Sequence, residues 1–187
     1  MTKYICNYIW LPICLALLSN VTMASSLDDI KSRYKSVTTI CANLALTKTS
    51  KYLTRPAVSD IMLSVKNGVI DWETRAPVQS LMTLDASDMT IDGKKLDAAT
   101  QEKAKPLIAT LRSLLTFDWK GIESAMDVTA VGLTLRGKPK TGSPLSVFQT
   151  IEFEFTAKLK PRTMTLTGSS ERTVILFQTF HEGACPQ

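Results

Sequence analysis

The stretch Ile61-Met62-Leu63-Ser64-Val65-Lys66-Asn67-Gly68-Val69-Ile70-Asp71-Trp72-Glu73-Thr74 holds two apolar-rich runs separated by Asn67-Gly68. Asn-Gly in that place is the strongest short-range hairpin signal, because both residues tolerate the positive φ of a tight two-residue turn. One hairpin alone is at best marginally stable in water, so more strands are expected on either side. Upstream, Ile40, Ala42, Leu44 and Leu46 alternate with Cys41, Asn43, Ala45 and Thr47, the period of a half-buried strand. Arg55-Pro56 breaks that run before the hairpin begins. Downstream, Pro77 ends the hairpin's second strand, Val78–Asp85 and Met89–Ile91 read as two further strands, and Asp92-Gly93 supplies a turn.

The period then changes. Leu107, Ile108, Leu111, Leu114 and Leu115 form a helical stripe, with Pro106 expected in the first turn, where a missing N–H costs nothing. Trp119 and Ile122 suggest a second short helix beyond Phe117-Asp118. Strands return at Val128–Leu135, Val147–Phe155, Thr163–Thr167 and Thr173–Phe180. Near the start, Leu27, Ile30, Tyr34 and Val37 recur at helical spacing, and Asp28 and Asp29 favour the positive end of a helix dipole. About eight meandering strands and helices that need a surface to cover give an α+β class: a strongly curved antiparallel sheet, an open and incomplete barrel, with helices on its concave face.

Composition narrows the function. The 187 residues are 44% hydrophobic and 21% charged, which argues against wholesale disorder, and the formal net charge is +5. The single histidine, His181, gives no second imidazole for a metal site, so no metal or cofactor is expected. Lys3 followed by the apolar run Ile9–Leu18 and by Thr22-Met23-Ala24 reads as an export signal over residues 1–24, leaving residues 25–187 as one domain in the periplasm. Its apolar run is well short of the ~20 residues needed to span a bilayer. Cys6 and Cys14 depart with that signal; Cys41 and Cys185 remain, an even number in an oxidising compartment. A bridge between them is the favoured reading, worth roughly 4–5 kcal/mol in the chain-entropy model, with two free thiols as the alternative.

The order of these pieces resembles the periplasmic lipoprotein carriers of the LolA-like family. The resemblance rests on the N-terminal helix, the first strand with Lys48, Leu53-Thr54-Arg55-Pro56-Ala57-Val58-Ser59, the strand Val69–Pro77, the helical segment Leu111–Phe117 with Trp119 and Ile122, and the strands after Val128. It implies an apolar cavity for acyl chains of a lipoprotein or another lipid, loading by an inner-membrane release complex, and handover to an outer-membrane acceptor. Two departures accompany it. The family's aromatic-then-glutamine first strand is Leu44-Ala45-Leu46-Thr47 here, and the arginine that holds the family's helical lid aligns with Lys66, which keeps the charge but loses the planar fork.

The residues expected to line a cavity are Leu44, Leu46, Ile61, Leu63, Ile70, Trp72, Leu107, Leu111, Leu115, Phe153 and Phe155, an ordinary closed core being the alternative. Lys66 is the candidate for lid control. Arg136, Lys138 and Lys140, and Lys158, Lys160 and Arg162, are expected on two turns at adjacent hairpin ends, candidates for docking a partner or else solvated charges guarding strand edges. Nucleic acid is a poor fit, since no aromatics interleave these basic groups. A monomeric, non-enzymatic carrier is the leading expectation. A periplasmic sensor or scaffold that binds a protein is the alternative, and a hydrolase using Asp71, Glu73, Glu152 or Glu154 is a third reading.

Overall fold

A computed structural model describes residues 27–85, 88–183 and 185; the export-signal segment lies outside them. The helix α1 (Leu27–Tyr34) leads into β1 (Thr39–Ser50), β2 (Ala57–Lys66), β3 (Val69–Ala76), β4 (Ser80–Leu84), β5 (Met89–Ile91) and β6 (Lys94–Lys95). Two helices follow, α2 (Ala98–Thr116) and α3 (Trp119–Ala125). The chain closes with β7 (Met126–Val131), β8 (Thr134–Pro139), β9 (Phe148–Phe155), β10 (Pro161–Gly168) and β11 (Glu171–Glu182).

All eleven strands form one antiparallel sheet in the order β6-β5-β4-β3-β2-β1-β11-β10-β9-β8-β7. Each half is therefore a meander, and among the described residues the only pairing that is not between consecutive strands is β1 with β11. The sheet does not close: its edges, β6 and β7, are the two strands on either side of the helical segment. A chain that ends one meander at one edge and starts the next at the opposite edge must cross the sheet between them, and α2 and α3 make that crossing. The β6 edge is short and carries Lys94 and Lys95, which discourages pairing with another chain.

Curvature is legible from packing. Leu84 on β4 and Met164 on β10 are five strand spacings apart, about 24 Å across a flat sheet. Both nevertheless line one small cavity with Leu111 of α2. Bulges help the bending, as extra residues sharpen local twist. The register of β1 with β11 slips between Asn43 and Leu44, passing over Gln178, and that of β2 with β3 slips over Arg75. The first slip has a second effect. It turns Phe180 and Ile175 to the same buried face although they differ in sequence parity.

Several elements differ from the sequence reading. The helix expected to start at Pro106 starts at Ala98, capped by Asp97, whose carboxylate accepts from the Thr100 N–H at 3.0 Å, and Pro106 lies in its interior. The polar run Ala98–Lys105 has no apolar stripe to announce it; the cap supplies the start signal instead. The single strand read at Val128–Leu135 is a hairpin, β7 and β8, turning at Gly132 with φ of 60°. Val37 falls beyond the end of α1, and β6 was not anticipated.

Helix α1 plugs one end of the curved sheet. Ile30 and Tyr34 are buried, and Tyr34 stacks on Phe117 with ring centroids 4.1 Å apart, beside Phe155 and Phe180. Its hydroxyl donates to the Leu159 carbonyl at 2.6 Å. Burial pushes the phenol well above its usual range, with Glu182 adding to the effect and Arg33 opposing it. Ion pairs of Lys31 with Glu123 and Arg33 with Glu182 tie the helix to α3 and β11.

Cys41 and Cys185 form a disulfide that ties β1 to the chain just after β11, the same junction that joins the two meanders. It closes a loop with a sequence separation of 144 residues. In urea titrations, reduction is expected to lower stability by about 2–5 kcal/mol, with Cys41→Ala behaving alike under both conditions. An unchanged midpoint on reduction would remove the bridge from the account.

Candidate functional site

Between α2 and the concave face of the sheet lies a cavity of about 160 Å³. Its lining is Trp72, Met82 and Leu84 from the first meander, Met164, Leu166 and Ile175 from the second, and Leu111, Leu114 and Leu115 from α2. All nine are apolar side chains apart from the indole N–H, so the hollow offers desolvation with almost no directional chemistry. An apolar void of about 150 Å³ in a protein stays dry and takes a molecule of benzene size. Ligand sites for larger molecules occupy about 300–1,000 Å³, so a longer guest requires this hollow to expand.

The element able to give way is α2. Its buried polar residues satisfy themselves: Thr110 Oγ1 donates to the Pro106 carbonyl at 2.8 Å, Ser113 Oγ to Ala109 at 3.1 Å, and Thr116 Oγ1 to Arg112 at 2.8 Å. Such bonds to the preceding turn, together with an interior proline, bend a helix and leave it with few obligations to the sheet. Its polar anchorage is at the N-terminal end. There Gln101 bonds Asp88, and Asp88 pairs with Lys95 at 2.8 Å. The Lys95 hydrogen bond, then its charge, holds the Asp88 carboxyl below the usual range, and the Thr100 contact does the same for Asp97. With both folded values lowered, this anchorage is complete above the ordinary carboxylate range and weakens as pH falls through the lowered values.

At its other end α2 turns into α3 through Phe117, in the left-handed region at φ of 55°, held there by its stacking on Tyr34. The Asp118 N–H bonds the Ser113 carbonyl at 2.9 Å, and Gly121 packs so closely that a Cβ would stand 2.0 Å from Ser113 Oγ. A second, nearly closed void of about 10 Å³ beneath this corner, lined by Phe117, Trp119, Phe153 and neighbours, is about the size of a single water.

Of the residues expected to line a cavity, Trp72, Leu111 and Leu115 line the hollow. Leu44, Ile61, Leu63 and Ile70 are buried in the core beside it, and Leu46 is packed against that core. Phe153 and Phe155 belong to the aromatic cluster around Phe117, and Leu107 is 39% exposed. Met82, Leu84, Met164, Leu166 and Ile175 carry no cavity signal in the sequence, because no local spacing relates strands five places apart, and Leu114 sits in the helical stripe without being assigned to the cavity.

Lys66 ends β2, exposed at the hairpin turn. A second cation reaches this turn from α2: the Arg112 guanidinium lies over Gly68, where a Cβ would stand 2.3 Å from Nη2. The placement of the two basic groups on turns is corrected. Arg136 and Lys138 lie within β8, Lys140 just beyond its end, and Arg162 within β10; only Lys158 and Lys160 occupy a turn. Since β8 runs away from the β9–β10 turn, the two triads do not meet at one end. Arg136 pairs with Glu152 at 2.6 Å, and Lys140 donates to the Glu123 carbonyl at 2.6 Å. The four carboxylates weighed for hydrolysis are likewise spread over the sheet with separate partners: Asp71 with Thr83, Glu73 with Arg75, Glu152 with Arg136, and Glu154 with Thr163. Among the described residues no cluster of His, Cys, Asp or Glu could hold a metal ion.

No protein-family model matches the sequence, and no curated protein does. Solved structures of similar fold include a LolA superfamily protein from Nitrosomonas europaea, at 8% identity and a TM-score of 0.46 over 87% of this chain and 96% of that one. A MucA/MucB complex from Pseudomonas aeruginosa matches at 12% identity and 0.42, over 85% of this chain and 59% of that one. An outer-membrane lipoprotein-sorting domain structure from Vibrio parahaemolyticus matches at 10% identity and 0.36, over 86% and 92%.

Gly121→Ala tests the α2–α3 corner. The added methyl must displace Ser113, whose Cβ it would approach to 2.7 Å, so a loss of about 1–3 kcal/mol in urea unfolding is expected. Stability within a few tenths of the parent would mean that the corner is looser than described.

Proposed function

We propose that this protein is a carrier that shields acyl chains of a lipoprotein or another lipid in the hollow beneath α2, working in the periplasm and delivering its cargo toward the outer membrane. The observation that carries the reading is the all-apolar lining of the hollow under a helix with few polar ties to the sheet. A core packed for stability alone gains nothing from such a void, since missing contacts cost dispersion energy. The sequence resemblance to the LolA-like carriers points the same way, including its expectation of a release complex that loads the carrier and an acceptor that unloads it.

Energetics limit the cargo. Lifting α2 would expose, on the helix side alone, Ile108, Leu114 and Leu115, which are 4%, 1% and 8% exposed. At about 1.5–3 kcal/mol for each side chain, the cost is roughly 5–9 kcal/mol. Each methylene taken from water returns about 0.8 kcal/mol, so on the order of ten methylenes offset the helix side alone, and the sheet residues beneath α2 raise that minimum. Long acyl chains meet that condition and short ones do not. Release then requires only a receiving surface that buries the same methylenes at least as well, so the carrier itself spends no chemical energy.

Trp72 lines the hollow and reports on its occupant. In a Trp10→Phe/Trp119→Phe variant, a brominated C16 fatty acid should quench the remaining fluorescence, while a brominated C6 acid at the same concentration should not. Leu111→Glu, which places a carboxylate in the apolar lining, should weaken the C16 effect by at least tenfold. Equal quenching by both chain lengths, or an unaffected Leu111→Glu variant, would refute the assignment.

A further inference from the structure

On the flank of α2 away from the hollow lies a much larger open cleft, of about 1120 Å³, between α1, the β2–β3 turn and the α2–α3 corner. Its lining differs in kind. Val37, Val65, Ile108 and Phe117 supply apolar surface, while Lys31, Lys35, Arg112 and Lys120 supply four cations against one carboxylate, Asp118. Lys31 is engaged with Glu123. No ion pair engages Lys35, Arg112 or Lys120 among the described residues, and all three lie on the cleft wall.

Two residues on the cleft wall bear on its chemistry. Trp119 lines both this cleft and the water-sized void beneath the corner, and its buried indole N–H has no hydrogen-bond partner among the described residues. Arg112 lies over Gly68, whose missing side chain lets the guanidinium rest against the turn backbone and holds the fork at the cleft wall. A planar guanidinium in such a position suits the paired oxygens of a phosphate or carboxylate.

Helix α2 divides the two spaces. Its Ile108, Arg112 and Thr116 stripe faces the cleft, and its Leu111, Leu114 and Leu115 stripe faces the hollow. We infer that the cleft receives the anionic headgroup of an amphiphile whose acyl chain passes beneath α2 into the hollow. This rests on the carrier reading and narrows its cargo to lipids with net negative charge at the headgroup. The chain supplies the binding free energy, and the three free cations select the head. Among them Arg112 has a second part: by drawing the headgroup to α2, it couples arrival of the cargo to the element that must move.

The test is equilibrium dialysis of the protein against two monoacyl lipids with the same C16 chain, below their micelle concentrations: anionic lysophosphatidylglycerol and zwitterionic lysophosphatidylcholine. The parent should prefer the anionic lipid at low ionic strength. Lys35→Glu/Lys120→Glu, both exposed positions, should weaken that lipid by about fivefold or more per cation removed, while changing the zwitterionic lipid by less than twofold; Arg112→Gln, which removes the fork that meets the phosphate of either lipid, should weaken both, the anionic one by about fivefold or more. Millimolar inorganic phosphate should compete only weakly, since it lacks the chain. Equal affinity for both lipids, or a Lys35→Glu/Lys120→Glu variant that leaves the preference intact, would overturn the headgroup assignment while the hollow stands. Phosphate binding as tight as the anionic lipid would make the cleft a free-anion site and also overturn it. Undiminished binding of both lipids by Leu111→Glu would instead sink the hollow, and the inference with it.

Discussion

The pairing of β1 with β11 joins two meanders into one sheet, and the rest of the molecule follows from that join. It places the first and last strands at the centre and leaves β6 and β7 at opposite edges. The chain between those edges crosses the inner face, so α2 and α3 are at once the connection and the cover. The disulfide ties the same central pair covalently, which makes the middle of the sheet the part least able to separate. An apolar inner face without cover would expose Leu63, Ile70, Leu84, Met164 and Ile175 to water at roughly 1.5–3 kcal/mol each.

That arrangement fixes what can move. Helix α2 is tethered at both ends, to β6 through a short turn and to α3 through the Phe117 corner, so it can tilt or bow but not leave. Its hydroxyls bond its own turns, and so moving it breaks apolar contacts rather than buried hydrogen bonds to the sheet. Apolar contacts can be replaced by the methylenes of a guest; a broken buried hydrogen bond could not be. The same reasoning explains why a hollow of about 160 Å³ suits a carrier at rest: it is small, and apolar enough to be enlarged by the right occupant.

Much of the sheet was legible because its signals are local. Asn67-Gly68 marks its turn with positive φ at both residues, and the alternation of Ile40 to Thr47 survives as the inner and outer faces of β1. What stayed hidden depends on distance or on compensation. Polar Ala98–Lys105 becomes helix only because Asp97 caps it and α2 continues into an apolar stripe. The bulge over Gln178 inverts parity along β11, so Ile175 and Phe180 could not both be assigned inward by period alone. The hollow draws on β4 and β10, and no pattern in the chain relates Leu84 to Met164 before the sheet is curved. Arg112 lay within a helix stripe chosen for its leucines, and its contact with Gly68 joins residues that only the fold brings together. Lys66 drew attention by alignment, yet the neighbouring cation that reaches across to the turn is on the helix.

The central claim is that the space under α2 exists to be filled by an acyl chain. Native mass spectrometry of the protein taken from the cell that produces it addresses this most directly. The account predicts a bound species whose mass, after release into organic solvent, is that of a molecule carrying a chain of ten or more methylenes, and its loss from the Leu111→Glu variant. Protein that emerges uniformly empty, in parent and variant alike, would contradict it.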